Sequence, residues 1–232
     1  MSVRAESAIA SLYDRFFYVG MALWLNATAL VGFGWSFLRS DIAKELQHPF
    51  ILAHALTFVS WLLLFLTQSV LVMSGRTDAH RRLGVAGAAL AGVMISLSVI
   101  SGVTAFQAGH LALEFKSFAY FTIPHVNVIF FAAFVTAGLL LRSRPETHKR
   151  LMLLATIALL EAVTSRVPLI WYISRHAHFV VEDLFVVAAI LHDVGSRGRV
   201  HPANICGALL IVVLRPFAEP ANLALGIMLY GQ

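Results

Sequence analysis

The chain has 232 residues, of which 59% are apolar and only 12% charged, with 17 phenylalanines among them. An ordinary soluble domain carries roughly a quarter charged residues, so a water-soluble globule of this composition would leave its own surface uncovered, and intrinsic disorder is excluded on the same ground. The single cysteine, Cys206, excludes an intrachain disulfide framework and a cysteine-based zinc site, and a net charge of +5 on so apolar a chain reads as the cytoplasmic loops of a membrane protein rather than a nucleic-acid surface.

A bilayer core of about 30 Å takes about 20 apolar residues in helix. The chain offers such stretches in order at 16–38, 50–73, 83–106, 125–141, 151–173 and 177–192. A seventh, 204–230, is interrupted by Arg215-Pro216 and Glu219-Pro220. Lipid-exposed segments must satisfy their backbone internally, and no segment shows the alternation of a barrel strand, so these are predicted to be helices. The expected architecture is an all-α, polytopic bundle of about seven helices, forming one integral membrane domain over 1–232. Residues 1–15 are polar and lead into a span of about 23 residues that shows no small-residue cleavage site, which predicts a retained first helix rather than a removed signal peptide. In the third helix Gly84, Ala88, Gly92 and Ser96 recur every four residues, a spacing that predicts a close-packing seam.

The loops after the second, fourth and sixth stretches hold nine Lys or Arg residues, and the opposite loops hold four. This bias places the first set and the N-terminus in the cytoplasm, with the protein in the cell membrane (the inner membrane if the source is bacterial). Two of the cytoplasmic loops are near copies. Arg76-Thr-Asp-Ala-His80-Arg-Arg-Leu83 and Arg144-Pro-Glu-Thr-His148-Lys-Arg-Leu151 share the pattern R-x-[D/E]-x-H-[R/K]-R-L, and Arg197-Gly-Arg-Val-His201-Pro is a weaker third copy. Such repeats predict a fold built from duplicated helix pairs.

The repeats sort the histidines into two sets. His54, His125 and His178 fall at the outer ends of even-numbered helices, with Asp183 near the last; His80, His148 and His201 fall at the inner ends, with Asp193 close by. Imidazoles converging with carboxylates suit zinc, iron or copper. The same inner loops are also what positive-inside topology and lipid-phosphate contacts produce, with the acid placed near a helix start. Within the membrane, Glu161 and Arg215 lie at similar depth. A lone charge there costs at least about 2.5–3.5 kcal/mol, so an interhelical pair is expected, with Asn26 and Gln68 completing a polar core. Arg166 is placed to approach Asp183 or a haem propionate.

The stretch from His54 through Gln68 to His80-Arg-Arg-Leu-Gly84, with the tail His192-Asp193 and Gly198-Arg-Val-His201-Pro202, resembles uncharacterised bacterial multi-pass membrane proteins with H-R-x-L-G loops. Those families are distantly like membrane b-type cytochromes. The resemblance covers about 50–205 and implies a helical bundle with haem at paired histidines. The distance from His54 to His80 is at most about 39 Å and from His125 to His148 about 35 Å at 1.5 Å per residue. Two haems so far apart would not relay an electron across the bilayer, whereas one haem b held by His54 and His125 near the outer face passes this test.

Three functional classes follow. The first is a histidine-ligated haem or metal redox protein with a quinone or an electron-transfer partner. The second is a metal-dependent membrane hydrolase or lipid-modifying enzyme, and the third a small-solute transporter with a Glu/Arg polar core. Walker, G-x-S-x-G and dinucleotide fingerprints are absent from the sequence, as is a lysine in the seventh helix for a retinal Schiff base.

Overall fold

A computed structural model describes residues 3–39, 49–107, 119–167, 173, 177–215 and 217. These residues are helical, and no strand occurs among them. Helix α1 spans Val3–Arg39, α2 Pro49–Met73, α3 Thr77–Gln107, α4 Ala119–Leu140 and α5 Pro145–Ile157. The short α6 spans Glu161–Thr164, α7 Ala177–Arg197 and α8 Pro202–Ala208, the last running without a break into a π-helical turn, Leu209–Leu214. Taking α5 with α6, and α8 with the π turn, the described residues form seven helical segments, and the expected seventh stretch lies outside them from 218 on. Stretches 13–35, 52–73 and 77–101 are long and apolar enough to cross a membrane. The exposed surface is rich in large apolar side chains, among them Leu30, Leu63, Val85 and Leu140, as a lipid-facing bundle requires.

Tight turns fix how the passes follow one another. After α2 the chain stops at Gly75, whose φ of +74° only glycine adopts without strain. The Arg76 amide donates back to the Leu71 carbonyl at 2.8 Å and the Gly75 amide to Val72 at 3.1 Å. That is a Schellman stop, and it sends α3 back along α2. Gly198, with φ +69°, ends α7 in the same left-handed way, its amide on the Val194 carbonyl at 2.8 Å. Pro145 and Pro202 then open α5 and α8, each in the first turn where a missing N–H costs nothing.

The core is organised around α5. Every residue from Leu153 to Leu160 is buried. Helices α1, α4, α7 and α8 pack on the segment from α5 to α6, while α3 lies outside it between α2 and α4. Glycines make the approach possible. A Cβ at Gly32 of α1 would lie 2.6 Å from the Val163 carbonyl oxygen, one at Gly138 of α4 2.9 Å from Met152 Sδ, and one at Gly207 of α8 2.6 Å from Leu154 Cδ1. Trp61 of α2 donates its indole N–H to Thr156 Oγ1 at 3.2 Å, and that hydroxyl donates to the Met152 carbonyl, so both polar groups are satisfied inside the core.

The structure differs from the sequence expectation at two places. The seam in α3 is offset: Gly92 and Ser96 are exposed, and the packed positions are Gly87, against Leu64, with Ala91 and Met94. Small residues occupy both faces of this helix, so spacing alone did not choose between them. The fifth span is not one helix. From Leu159 to Val167 the amides of Leu159, Leu160, Ala162, Val163, Arg166 and Val167 turn to the carbonyl three residues back, a tighter 3₁₀-like winding.

Candidate functional site

Among the described residues, two charged clusters lie inside the bundle. One sits at the arginine-rich end, where α5 starts and α7 stops. Arg150 is 0% exposed and so is its partner Asp193. The Arg150 Nε donates to the two Asp193 carboxylate oxygens at 2.9 and 3.3 Å, and Nη2 also donates to Oδ1. Nη1 turns to the Glu146 carbonyl at 2.7 Å and the Glu146 carboxylate at 2.9 Å. Asp193 accepts further hydrogen bonds from the His201 amide at 2.9 Å and from Asn204 Nδ2 at 2.8 Å. Burial alone would raise the Asp193 carboxyl, but the bonds from Arg150, His201 and Asn204 outweigh it and hold the group below the ordinary aspartate range.

Around this pair, Lys149 donates to Asp14 of α1 and to Glu146, the latter at 2.8 Å, and Arg197 pairs with Glu146. Burial lowers the Lys149 ammonium, against the pull of Asp14. His192 is 4% exposed and stacked on Phe17, with ring centroids 3.8 Å apart, and its Nε2 lies 3.6 Å from Asp14 Oδ1. These contacts tie α1, α5, α7 and α8 together at one end.

The second cluster lies deeper. Glu182 is ten residues from His192 along α7, and Arg215 eleven from Asn204. At 1.5 Å per residue Glu182 stands about 15 Å from His192 and about 7.5 Å from the start of α7, so the cluster lies inside the bundle, toward the outer end of that helix. Arg215, 3% exposed, donates through Nη1 to Glu182, which is 0% exposed, and through Nη2 to Asp183 at 3.0 Å. Its guanidinium lies 4.2 Å from the centre of the Phe179 ring. Nearby, Asn127 of α4 donates to Glu161, the first residue of α6. Each half of this cluster marks an irregular helix: Arg215 directly follows the π turn, and Glu161 follows the break after α5. Glu182 Oε1, Asn127 Oδ1 and Arg215 Nε are buried and have no hydrogen-bond partner.

The residues singled out from the sequence fall as follows. Arg215 makes its direct bonds to Glu182 and Asp183 rather than to Glu161, because the π turn carries it onto α7. Asn26 donates to Ala22 O at 2.8 Å and to Leu62 O at 3.2 Å, pinning α1 to α2 instead of joining the polar core. Gln68 stands beside Gly84 with its Oε1 buried and unpartnered. Arg166 lies over the Phe33 ring at 5.4 Å. The inner set does not assemble as four ligands. His80 and His148 meet, with ring centroids 6.2 Å apart. The Asp193 oxygens, however, are engaged by Arg150, Asn204 and the His201 amide, and His201 Nδ1 accepts from the Ala203 amide at 3.1 Å. Pro202 is the cause: it starts α8 directly after His201, so this histidine becomes the helix cap, whereas His80 and His148 sit at the fourth helical position. Of the outer set, His54 has a buried, unpartnered Nδ1; the side chains of His125 and His178 lie outside the described residues. Among the described residues no group of three or more His, Cys, Asp or Glu is placed to hold a metal.

Asp14, Asn127, Arg150, Asn204 and the pairing of Glu182 with Arg215 did not stand out in the sequence. The signal for Arg150 was present but ambiguous. It occupies the same place in its repeat as Arg82, which is exposed; only the central position of α5 separates the two. No family model, curated protein or solved structure matches this chain.

Proposed function

We propose that this multi-pass helical protein moves protons, coupled to a small solute, through the bundle by way of Glu182, Asp183, Arg215 and Glu161. One observation carries the reading: three carboxyl groups and one guanidinium are gathered inside the bundle, at two helix irregularities, with buried polar atoms left unpartnered. Ionised together, the four groups carry a net charge of −2, which a low-dielectric interior does not hold. A proton or a cation therefore completes the cluster, and exchanging it is the elementary step of coupled transport. Broken helices within the membrane are where transporters place such groups, because irregular backbone is tolerated only inside protein or beside a cavity. In this reading Arg215 anchors the anionic side and Glu182, with its spare oxygen, carries the proton.

The test is flux in proteoliposomes, with an entrapped pH dye and an imposed potassium diffusion potential. Protein-dependent proton movement that Glu182→Gln abolishes and His54→Ala leaves intact supports the proposal. Vesicles as tight as protein-free ones, or full flux in Glu182→Gln, overturn it.

A second reading rests on His54. Its unpartnered Nδ1 inside an apolar helix is the donor that a haem or an iron, copper or zinc ion takes, with His125 as the second ligand that the sequence pairs with it. Haem there would supply one-electron chemistry with a quinone or an electron-transfer protein, while α2 would hold the imidazole and the surrounding apolar residues would exclude water. A Soret band in the purified protein, lost in His54→Ala, favours this reading over the first. The hydrolase alternative needs three metal ligands together, and the described residues offer no such group.

A further inference from the structure

We propose that His80 and His148 form a site for one first-row transition-metal ion, copper or zinc, completed by water or a small exogenous ligand. The site lies at the arginine-rich end, apart from the Arg215 cluster, and stands whether or not that cluster transports anything.

Three observations carry it. The first is distance. A metal held about 2.0–2.1 Å from an imidazole nitrogen stands about 3.2 Å from that ring's centre, so two histidines sharing it have centroids at most about 6.4 Å apart. The observed 6.2 Å lies just inside that limit, with the rings nearly perpendicular at 84°. This separation opens an N–metal–N angle of about 150°, close to what two-coordinate copper(I) takes; an approach of about 1 Å would give zinc its tetrahedral angle.

The second is orientation. His148 Nδ1 lies 2.8 Å from the Gly138 carbonyl. A carbonyl only accepts, so the proton is on Nδ1 and the lone pair is on Nε2. His80 Nδ1 is buried without any partner. In the proposed site a metal ion is the partner of that orphaned nitrogen. Metal-binding histidines are held as His148 is, with the second nitrogen fixed by a carbonyl or carboxylate. The Gly138 carbonyl belongs to the helix preceding His148, ten residues before it.

The third is charge. Arg150, buried at this end, is neutralised by Asp193 and Glu146. Arg81 and Arg82 are exposed, where solvent and salt screen their repulsion of a bound cation.

The experiment uses the full chain without a histidine tag, in detergent, loaded with zinc(II) or, under reducing conditions, copper(I), then dialysed and analysed for metal. The expected result is one equivalent per chain for at least one of the two ions. Affinity should fall by more than about tenfold in His80→Ala and in His148→Ala, and remain unchanged in His201→Ala. Retention of neither ion above detergent blanks, or full retention in the double variant, overturns the proposal. Should an alanine variant fail to fold, mass spectrometry of histidine modification by diethyl pyrocarbonate tests the same site in the wild-type chain: metal must protect His80 and His148 together, and equal modification with and without metal overturns the site.

Discussion

Two arginines are buried among the described residues, and their surroundings are opposite. The Arg150–Asp193 pair is closed: the guanidinium meets Asp193 and Glu146, and the Asp193 oxygens are filled by Asn204 and a backbone amide, with orphaned atoms only on neighbouring Asn204 and His192. Arg215 sits in an open set, with its own Nε and the Glu182 Oε1 left over. A fully satisfied ion pair has one arrangement and serves as a clasp between helices. A pair with spare lone pairs and an excess of acid can gain or lose a proton, and it costs stability to keep. The contrast assigns structure to the first cluster and chemistry to the second.

The largest effect is expected at Asp193. Removing one partner of a buried pair typically costs about 3–5 kcal/mol, and Asp193→Ala should lose that much in equilibrium unfolding from detergent micelles. A loss under about 1 kcal/mol would mean that water reaches Arg150 and that the clasp is not closed. Next in size is the packing that holds α1 on the central span. Gly32→Ala drives a methyl against the Val163 backbone, which cannot step aside as a side chain does, and overpacking costs about 1–3 kcal/mol. Gly207→Ala, which meets only the Leu154 side chain, should cost less, and the reverse order in the same unfolding assay would displace α6 from its central role. Trp61→Phe removes one hydrogen bond while Thr156 keeps its own acceptor, so a loss of about 0.5–1.5 kcal/mol is expected in the same titration.

The smallest effect is in pH. Burial and then the charge of Arg150 lower the His201 imidazolium below its ordinary 6.5. Below that value the unfolded chain binds the proton more readily than the folded one, so stability is full above about pH 6.5 and declines as pH falls toward the folded value. Asp193, whose folded pKa is also depressed, adds a second decline below the ordinary aspartate value of 3.8. Melting temperature measured against pH should show the first decline in the wild type. His201→Asn, which still caps α8 but does not titrate, should make it shallower, with the buried His192 keeping the remainder. An unchanged slope in that variant would place the titrating group elsewhere.

Much of the fold was legible in the sequence because the bilayer imposes a length and a polarity on every pass. The span limits near 50–73, 83–106 and 177–192 agree with α2, α3 and α7 to within a turn or two. The breaks were not legible. Nothing in Ile157-Ala-Leu-Leu160 or Leu209-Leu-Ile-Val-Val-Leu214 is a proline or a glycine, so the winding there is set by what the helix packs against. Partners were the harder problem. Depth along a helix told that Glu161 and Arg215 sit level, but not which way Arg215 turns, and a shift of one π turn gives it to Glu182. The repeat grouped His80 with His148, whose rings do meet, and with His201, which does not join them. Pro202 makes that difference, one residue that converts a ligand candidate into a helix cap.

If the Arg215 cluster is open for chemistry and the Arg150–Asp193 pair closed for structure, the two properties must separate in a single variant. Proton flux and thermal stability, measured together in Glu182→Gln, decide the matter. The expected outcome is abolished flux with a melting temperature at or above that of the wild type, since the amide removes excess negative charge and Asp183 still holds Arg215. Intact flux with a sharply lowered melting temperature would make Glu182–Arg215 a second clasp and contradict the division between the two clusters.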